Sequence, residues 1–197
     1  MVTDTNPDYQ EYLKLFPTIQ EYQKLASKYN VADIFQDNGG KYVQLLILLG
    51  LKTSGSREGN DAFDENGVEF EIKTVNVDLV AGFSTHHHMN PTIIAKYRKV
   101  SWYFAVYRSI ELQVIYKLTP EALEPFYAVW ERKWHDNGRK DINNPKIPLK
   151  YVMEHGEIIW LPEGKTAFEV PKKEKKADVA RIKRKKKPAN QLDLEDL

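Results

Sequence analysis

The feature that most constrains this chain is a tight turn followed by a strictly alternating strand, "DENGVEFEIKTV" from Asp64 to Val75. Asn66-Gly67 is the strongest short hairpin signal a sequence offers. After it, Val68, Phe70 and Ile72 fall on one face, and Glu69, Glu71 and Lys73 fall on the other. Glu71 and Lys73 therefore lie side by side on the polar face, and Asp61 precedes Glu71 by one turn of the hairpin.

The rest of the chain supplies partners for this hairpin. "SWYFAVYR" and "LQVIYKL" are aromatic and β-branched and read as core strands. "LKYVM" and "EIIWL" read as strands that close the body. Helical spacing of Tyr12, Leu15, Phe16, Ile19 and Tyr22 predicts a helical segment near the N-terminus, bent or divided by Pro17. "NGGKYVQLLILLGL" predicts a mostly buried helix after a glycine turn. Asn90-Pro91 opens a short helix, and Thr119-Pro120 opens a longer one with Thr119 as N-cap. Residues 136–148 read as a polar loop.

Composition bounds the class. The chain has 197 residues, 42% of them hydrophobic, which suits one domain with a core. It has no cysteine, so disulfides and thiolate metal sites are excluded. The opening "MVTDTNPDYQ" is polar and no apolar run is long enough for a bilayer, so a soluble, intracellular protein without a membrane role is expected. The net charge of +1 is unevenly spread. Residues 171–187 hold ten Lys or Arg against Glu174 and Asp178, whereas "PANQLDLEDL" is acidic, leaving a mildly acidic body. The expected organisation is a body over residues 1–162 and a basic-then-acidic tail, 163–197, expected to be disordered. Bulk charge alone would not make the body a nucleic-acid binder.

Two constellations carry chemistry. Asp61 and Glu71 can hold a hard cation such as Mg²⁺, with the Ile72 carbonyl as a third oxygen. Lys73 beside them can orient an attacking water or help deprotonate it, and can offset charge on a phosphate. Such parts suit phosphodiester hydrolysis, but Glu and Lys two apart also occur on ordinary solvated strands, where the pair is worth little. The second constellation is "GFSTHHHMNP" with "DINNP". In an extended segment His86 and His88 face one side and His87 the other, so the three do not converge on one ion. They could instead read DNA or be incidental. Asn143 and Asn144 could bond adenine bidentately in the major groove, or be plain turn residues.

"DIFQDNGGK", "REGNDAFDENGVEFEIKTVN", "GFSTHHHMNPTIIAKYR", "WERKW" and "DINNPKIPLKYVMEHG" together resemble the PvuII-type restriction endonucleases of the PD-(D/E)xK nuclease superfamily, from about Asn6 to about Trp160. Asn60 stands where the superfamily usually has proline, as it does in the PvuII type. The resemblance implies an α+β, restriction-endonuclease-like fold, with an α/β-type core, a central mixed sheet flanked by helices, and N-terminal helices in a homodimer interface. Tyr12, Phe16 and Tyr22 are the candidate interface contacts, unless they cover the monomer's own core. It implies Mg²⁺ on Asp61 and Glu71, Lys73 serving the water, Glu58 supporting the metal site, and Tyr97 near a possible second metal position. It implies that His87 reads a guanine edge, with His86 and His88 supporting the site or touching the backbone, and Ser84 and Thr85 near bases or phosphates. Asn143 and Asn144 then become base readers, and Asp37 lies near the minor groove and the dimer interface. The implied substrate is double-stranded DNA, cut at the centre of CAGCTG to leave blunt ends with 5′-phosphate and 3′-hydroxyl. A cognate DNA methyltransferase would protect the host, in a bacterial cytoplasm. A reader that has lost cleavage and a nuclease of shifted specificity are the alternatives.

Overall fold

The computed structural model describes residues 7–53 and 60–170. The hairpin forms where the sequence predicts it, through a slightly different turn. Only Gly67 is left-handed, at φ 78°, with the turn proper at Glu65 and Asn66. The Asp64 carboxylate fixes it by accepting from the Asn66 and Val68 N–H groups, both at 2.9 Å. The turn joins β1 (Ala62–Phe63) to β2 (Glu69–Asn76), with Ala62 opposite Phe70.

β2 next pairs in parallel with β4 (Ser101–Arg108), which places Glu71 beside Trp102 and Lys73 beside Phe104. Parallel neighbours need a crossover, and it contains β3 (Gly82–Ser84) and α3 (Pro91–Tyr97). β4 pairs antiparallel with β5 (Glu111–Leu118), and β7 (Glu157–Trp160) completes a mixed sheet of order β1-β2-β4-β5-β7. α1 (Pro7–Ser27), α2 (Gly39–Leu49), α4 (Pro120–Asp136) and α5 (Leu149–His155) are the other helices. The fold is α+β, as expected.

Both faces of the sheet are covered. On one, Leu45 and Leu46 of α2 pack with Phe70, Ile72, Tyr103 and Ala105. On the other, Ile94, Tyr97, Leu123, Tyr127 and Val152 from three helices pack with Trp102, Phe104 and Tyr116. Glu71 and Lys73 point to this second face. The side that reads as polar in the sequence is therefore an interior. α2 is only half buried, since Ile47 and Leu48 are exposed.

Caps follow the sequence. The Asn90 side chain accepts from Thr92 and Ile93 N–H at the start of α3, and Thr119 accepts from Ala122 N–H at the start of α4. Three expectations are corrected. Pro17 does not divide the N-terminal segment, since α1 runs unbroken from Pro7 to Ser27. Positions 11–18 are all exposed, so water can serve the carbonyl freed by the proline. "LKYVM" is helix α5, not a strand. Its buried residues, Leu149 and Val152, are spaced by three, which suits a helix and not a pleat. The polar loop ends in a short strand, β6 (Lys146–Pro148), which pairs antiparallel with β3.

That two-stranded ribbon is anchored by Phe83, fully buried against Phe104 with ring centroids 4.9 Å apart. Phe83→Ala should cost about 3–5 kcal/mol of stability, as large-to-small aromatic truncations in a packed interior do. Chemical denaturation checks it, and a loss below about 1 kcal/mol would show that Phe83 is no anchor.

Candidate active site

Each acidic side chain is set by the hairpin. Asp61 lies just before β1, and its carboxylate accepts from the Ile72 N–H across the hairpin at 2.9 Å. The Tyr42 hydroxyl of α2 donates to the Asp61 carbonyl. Asn60 is tied to Glu69 at 2.7 Å. Asp61 is thus held by the facing strand at its carboxylate and by the helix beneath at its backbone carbonyl, next to a neighbour, Asn60, that is itself tied to β2.

Lys73 joins the two carboxylates. Its ammonium donates to Glu71 and lies 3.9 Å from Asp61. It also stands 5.5 Å from the Trp102 ring centroid and 6.0 Å from that of Tyr97, within cation–π range. Glu71 is the only buried charged residue among the described residues, at 4% exposure. Burial pushes its carboxyl up to about 7; Lys73 opposes this, the Asp61 charge adds to it, and the Tyr97 hydroxyl favours the ionised form. Burial would lower Lys73, but Glu71 and then Asp61 raise it on balance, so it stays an ammonium.

These groups line or adjoin a cavity of about 780 Å³ whose walls include Asp37, Asp61, Ile72, Lys73 and Ser84. Glu71 and Tyr97 are not part of that wall, and neither are His86, His87, His88, Asn143 and Asn144, which form a cluster of their own. Asp37 is in a left-handed turn, φ 49°, directly before Asn38, φ 64°, and α2. Glu58 lies outside the described residues. Tyr42 went unnoticed in the sequence because it sits in an apolar helical run with nothing to mark its hydroxyl.

The histidine segment is not extended, which corrects the alternating geometry expected for it: His87 and His88 form a turn. The His88 N–H donates to His86 Nδ1 at 3.0 Å, and the two rings are 6.3 Å apart. Burial, and then the Lys73 charge, hold the His86 imidazole below its ordinary pKa. Among the described residues no three His, Asp or Glu side chains converge as a metal cluster.

What the histidines meet is the asparagine loop. His87 Nδ1 contacts Asn143 Oδ1 at 3.1 Å, and the Asn144 N–H donates to the His86 carbonyl at 2.9 Å. The Thr85 N–H donates to Asn144 Oδ1 at 2.9 Å, and its hydroxyl to the Pro145 carbonyl at 2.6 Å. Met89 and Ile142 exchange both backbone hydrogen bonds. A carbonyl oxygen only accepts, so His87 donates through Nδ1 here and its Nε2 donates outward only in the protonated ring.

A family model described as "Restriction endonuclease PvuII" matches residues 7–160. A mixed sheet with two carboxylates and a lysine at one hairpin thus belongs to a site-specific deoxyribonuclease, of the type II restriction class, which binds DNA. The chain belongs to the PvuII family of restriction endonucleases.

Enzymes of this kind generally use divalent metal ions. The residues fit one: two carboxylates and a nearby carbonyl are hard oxygen donors, suited to a cation that keeps several waters. An ion held by Glu71 would have to displace the proton that its carboxyl holds below about pH 7. Divalent-ion affinity should therefore rise with pH up to about 7 and level off above it. Calorimetric titration in buffers of different ionisation enthalpy reads this as proton release below that pH, and a flat profile would count against it.

Proposed function

We propose that this enzyme cuts both strands of DNA at the centre of CAGCTG, with Mg²⁺ as its ion, leaving blunt ends with 5′-phosphate and 3′-hydroxyl. The observation that supports it most is the single lysine shared by Asp61 and Glu71 at the wall of the cavity. Asp61, Glu71 and the Ile72 carbonyl would hold the Mg²⁺, which would supply charge to stabilise the phosphate as it becomes more negative. Lys73 orients the attacking water and places a cation beside the developing charge. Glu58 supports this set. Tyr97, whose hydroxyl faces Glu71, marks the place for any second ion.

His87, Asn143 and Asn144 read bases in the major groove, His86 and His88 brace them, and Ser84 and Thr85 meet bases or phosphates. Asp37 approaches the minor groove at the dimer interface. Residues 1–162 carry these functions. Residues 163–197 form the appended tail, and 171–197 lie outside the described residues. A methyltransferase that marks the same site protects the host, in the bacterial cytoplasm. No described helix is long and apolar enough to cross a membrane.

A palindrome calls for a two-fold dimer. Its support is α1, where Tyr12, Leu13, Leu15 and Phe16 are all exposed along the first half of the helix. Tyr22 is different: it packs with Ala26, Ile34 and Val43 and donates to the Gly40 carbonyl, so it covers the monomer's own core.

Two experiments test the reading. Digestion of a random DNA pool with Mg²⁺, followed by sequencing of new ends, should give blunt ends centred on CAGCTG, and Lys73→Ala should abolish them. Cleavage at another motif would keep the catalytic assignment and overturn that of the readers. In sedimentation, Phe16→Glu should shift the protein from dimer to monomer. A Phe16→Glu protein that remains dimeric would remove α1 from the interface.

A further inference from the structure

We infer that Lys146 contacts a backbone phosphate of bound DNA from the rim of the catalytic cavity, held in place by Ser84. This deepens the endonuclease reading and rests on it. In the β3–β6 ribbon, Phe83 stands opposite Ile147 and both are fully buried. A strand alternates with period two, so the next pair in register, Ser84 and Lys146, must face outward, and both are exposed. The Lys146 ammonium donates to the Ser84 hydroxyl. Ser84 in turn is part of the same cavity wall as Asp61 and Lys73.

The charge around it makes the assignment. The cavity wall contains Asp33, Asp37 and Asp61, and its one lysine, Lys73, is committed to Glu71 and Asp61. Among the described residues no carboxylate lies within ion-pair distance of Lys146. It is therefore a free cation beside a mildly acidic cleft that must admit a polyanion. A hydroxyl that accepts from the ammonium keeps its own proton, so Ser84 and Lys146 present O–H and N–H donors together, which suits a phosphate oxygen. Thr85, next to Ser84, and Asn144, two residues before Lys146, belong to the hydrogen-bonded reading loops, so a phosphate held here would set those loops at a fixed depth in the groove.

The test is salt-dependent binding of the full chain, without divalent ion so that nothing is cut. One duplex contains CAGCTG and one is scrambled, and each is followed by fluorescence anisotropy over a series of salt concentrations. Lys146→Met should weaken binding to both duplexes alike. The slope of log K against log salt should become shallower by about 0.9 for each phosphate that the variant no longer neutralises. Lys146→Arg should restore the slope. An unchanged slope overturns the proposal, and so does a loss confined to the CAGCTG duplex, which would make Lys146 a base reader. If the unmodified protein fails to prefer CAGCTG, the target assignment falls, while the slope on the scrambled duplex still decides the role of Lys146. The side chain is exposed, so both variants should keep the parent melting temperature.

Discussion

The buried pairing of Lys73 with Glu71 is the contact on which the rest of the site depends. A carboxylate taken out of water is costly unless an opposite charge and good hydrogen bonds come with it, and removing one partner of such a pair typically costs about 3–5 kcal/mol. Here the sheet supplies the arrangement cheaply, because residues two apart on β2 emerge on the same face. α3 and α4 then close over that face, bringing Tyr97 and Tyr127 up beside Trp102 of β4 around the pair. Low polarity strengthens the attraction and also raises the Glu71 carboxyl. One arrangement thus sets both the stability of the centre and the ease with which Glu71 takes up a proton.

Around this centre the molecule is built in two connected units. The five-stranded sheet holds the acidic side chains and the lysine, with Asp61 fixed by β2 and α2. The β3–β6 ribbon, the loop after β3 and the loop before β6 form the second unit. They are joined by backbone and side-chain bonds between residues far apart in the chain. Asn90 links the two, since it caps α3 directly after the histidine turn, and Tyr97 at the other end of that helix faces Glu71.

Much of this was legible in the sequence where local chemistry decides structure. The hairpin, the strands β4 and β5, and the caps at Asn90 and Thr119 all follow from residue type and spacing. The family resemblance carried the site residues further than the bare pattern could, because Glu-x-Lys on a strand looks the same whether solvated or enclosed. What the sequence did not disclose depends on distant packing. Nothing local says that the charged side of β2 is roofed by helices, or that Tyr42 ties down Asp61. α5 misled because a short, mostly apolar run such as "LKYVM" suits strand and helix alike. The histidine turn was hidden because its shape comes from the loop at 141–145, which lies far along the chain.

The clamp between those two loops has an evolutionary consequence. Asn144 spends a carbonyl oxygen on Thr85 and its backbone N–H on His86, and Asn143 meets His87. On the proposed reading, a single substitution in either loop therefore alters a base-facing group and, at once, unseats its neighbour in the other. New targets should be reached only through concerted changes in both segments, with poorly organised intermediates between them. Natural drift toward a different recognition sequence is thereby discouraged.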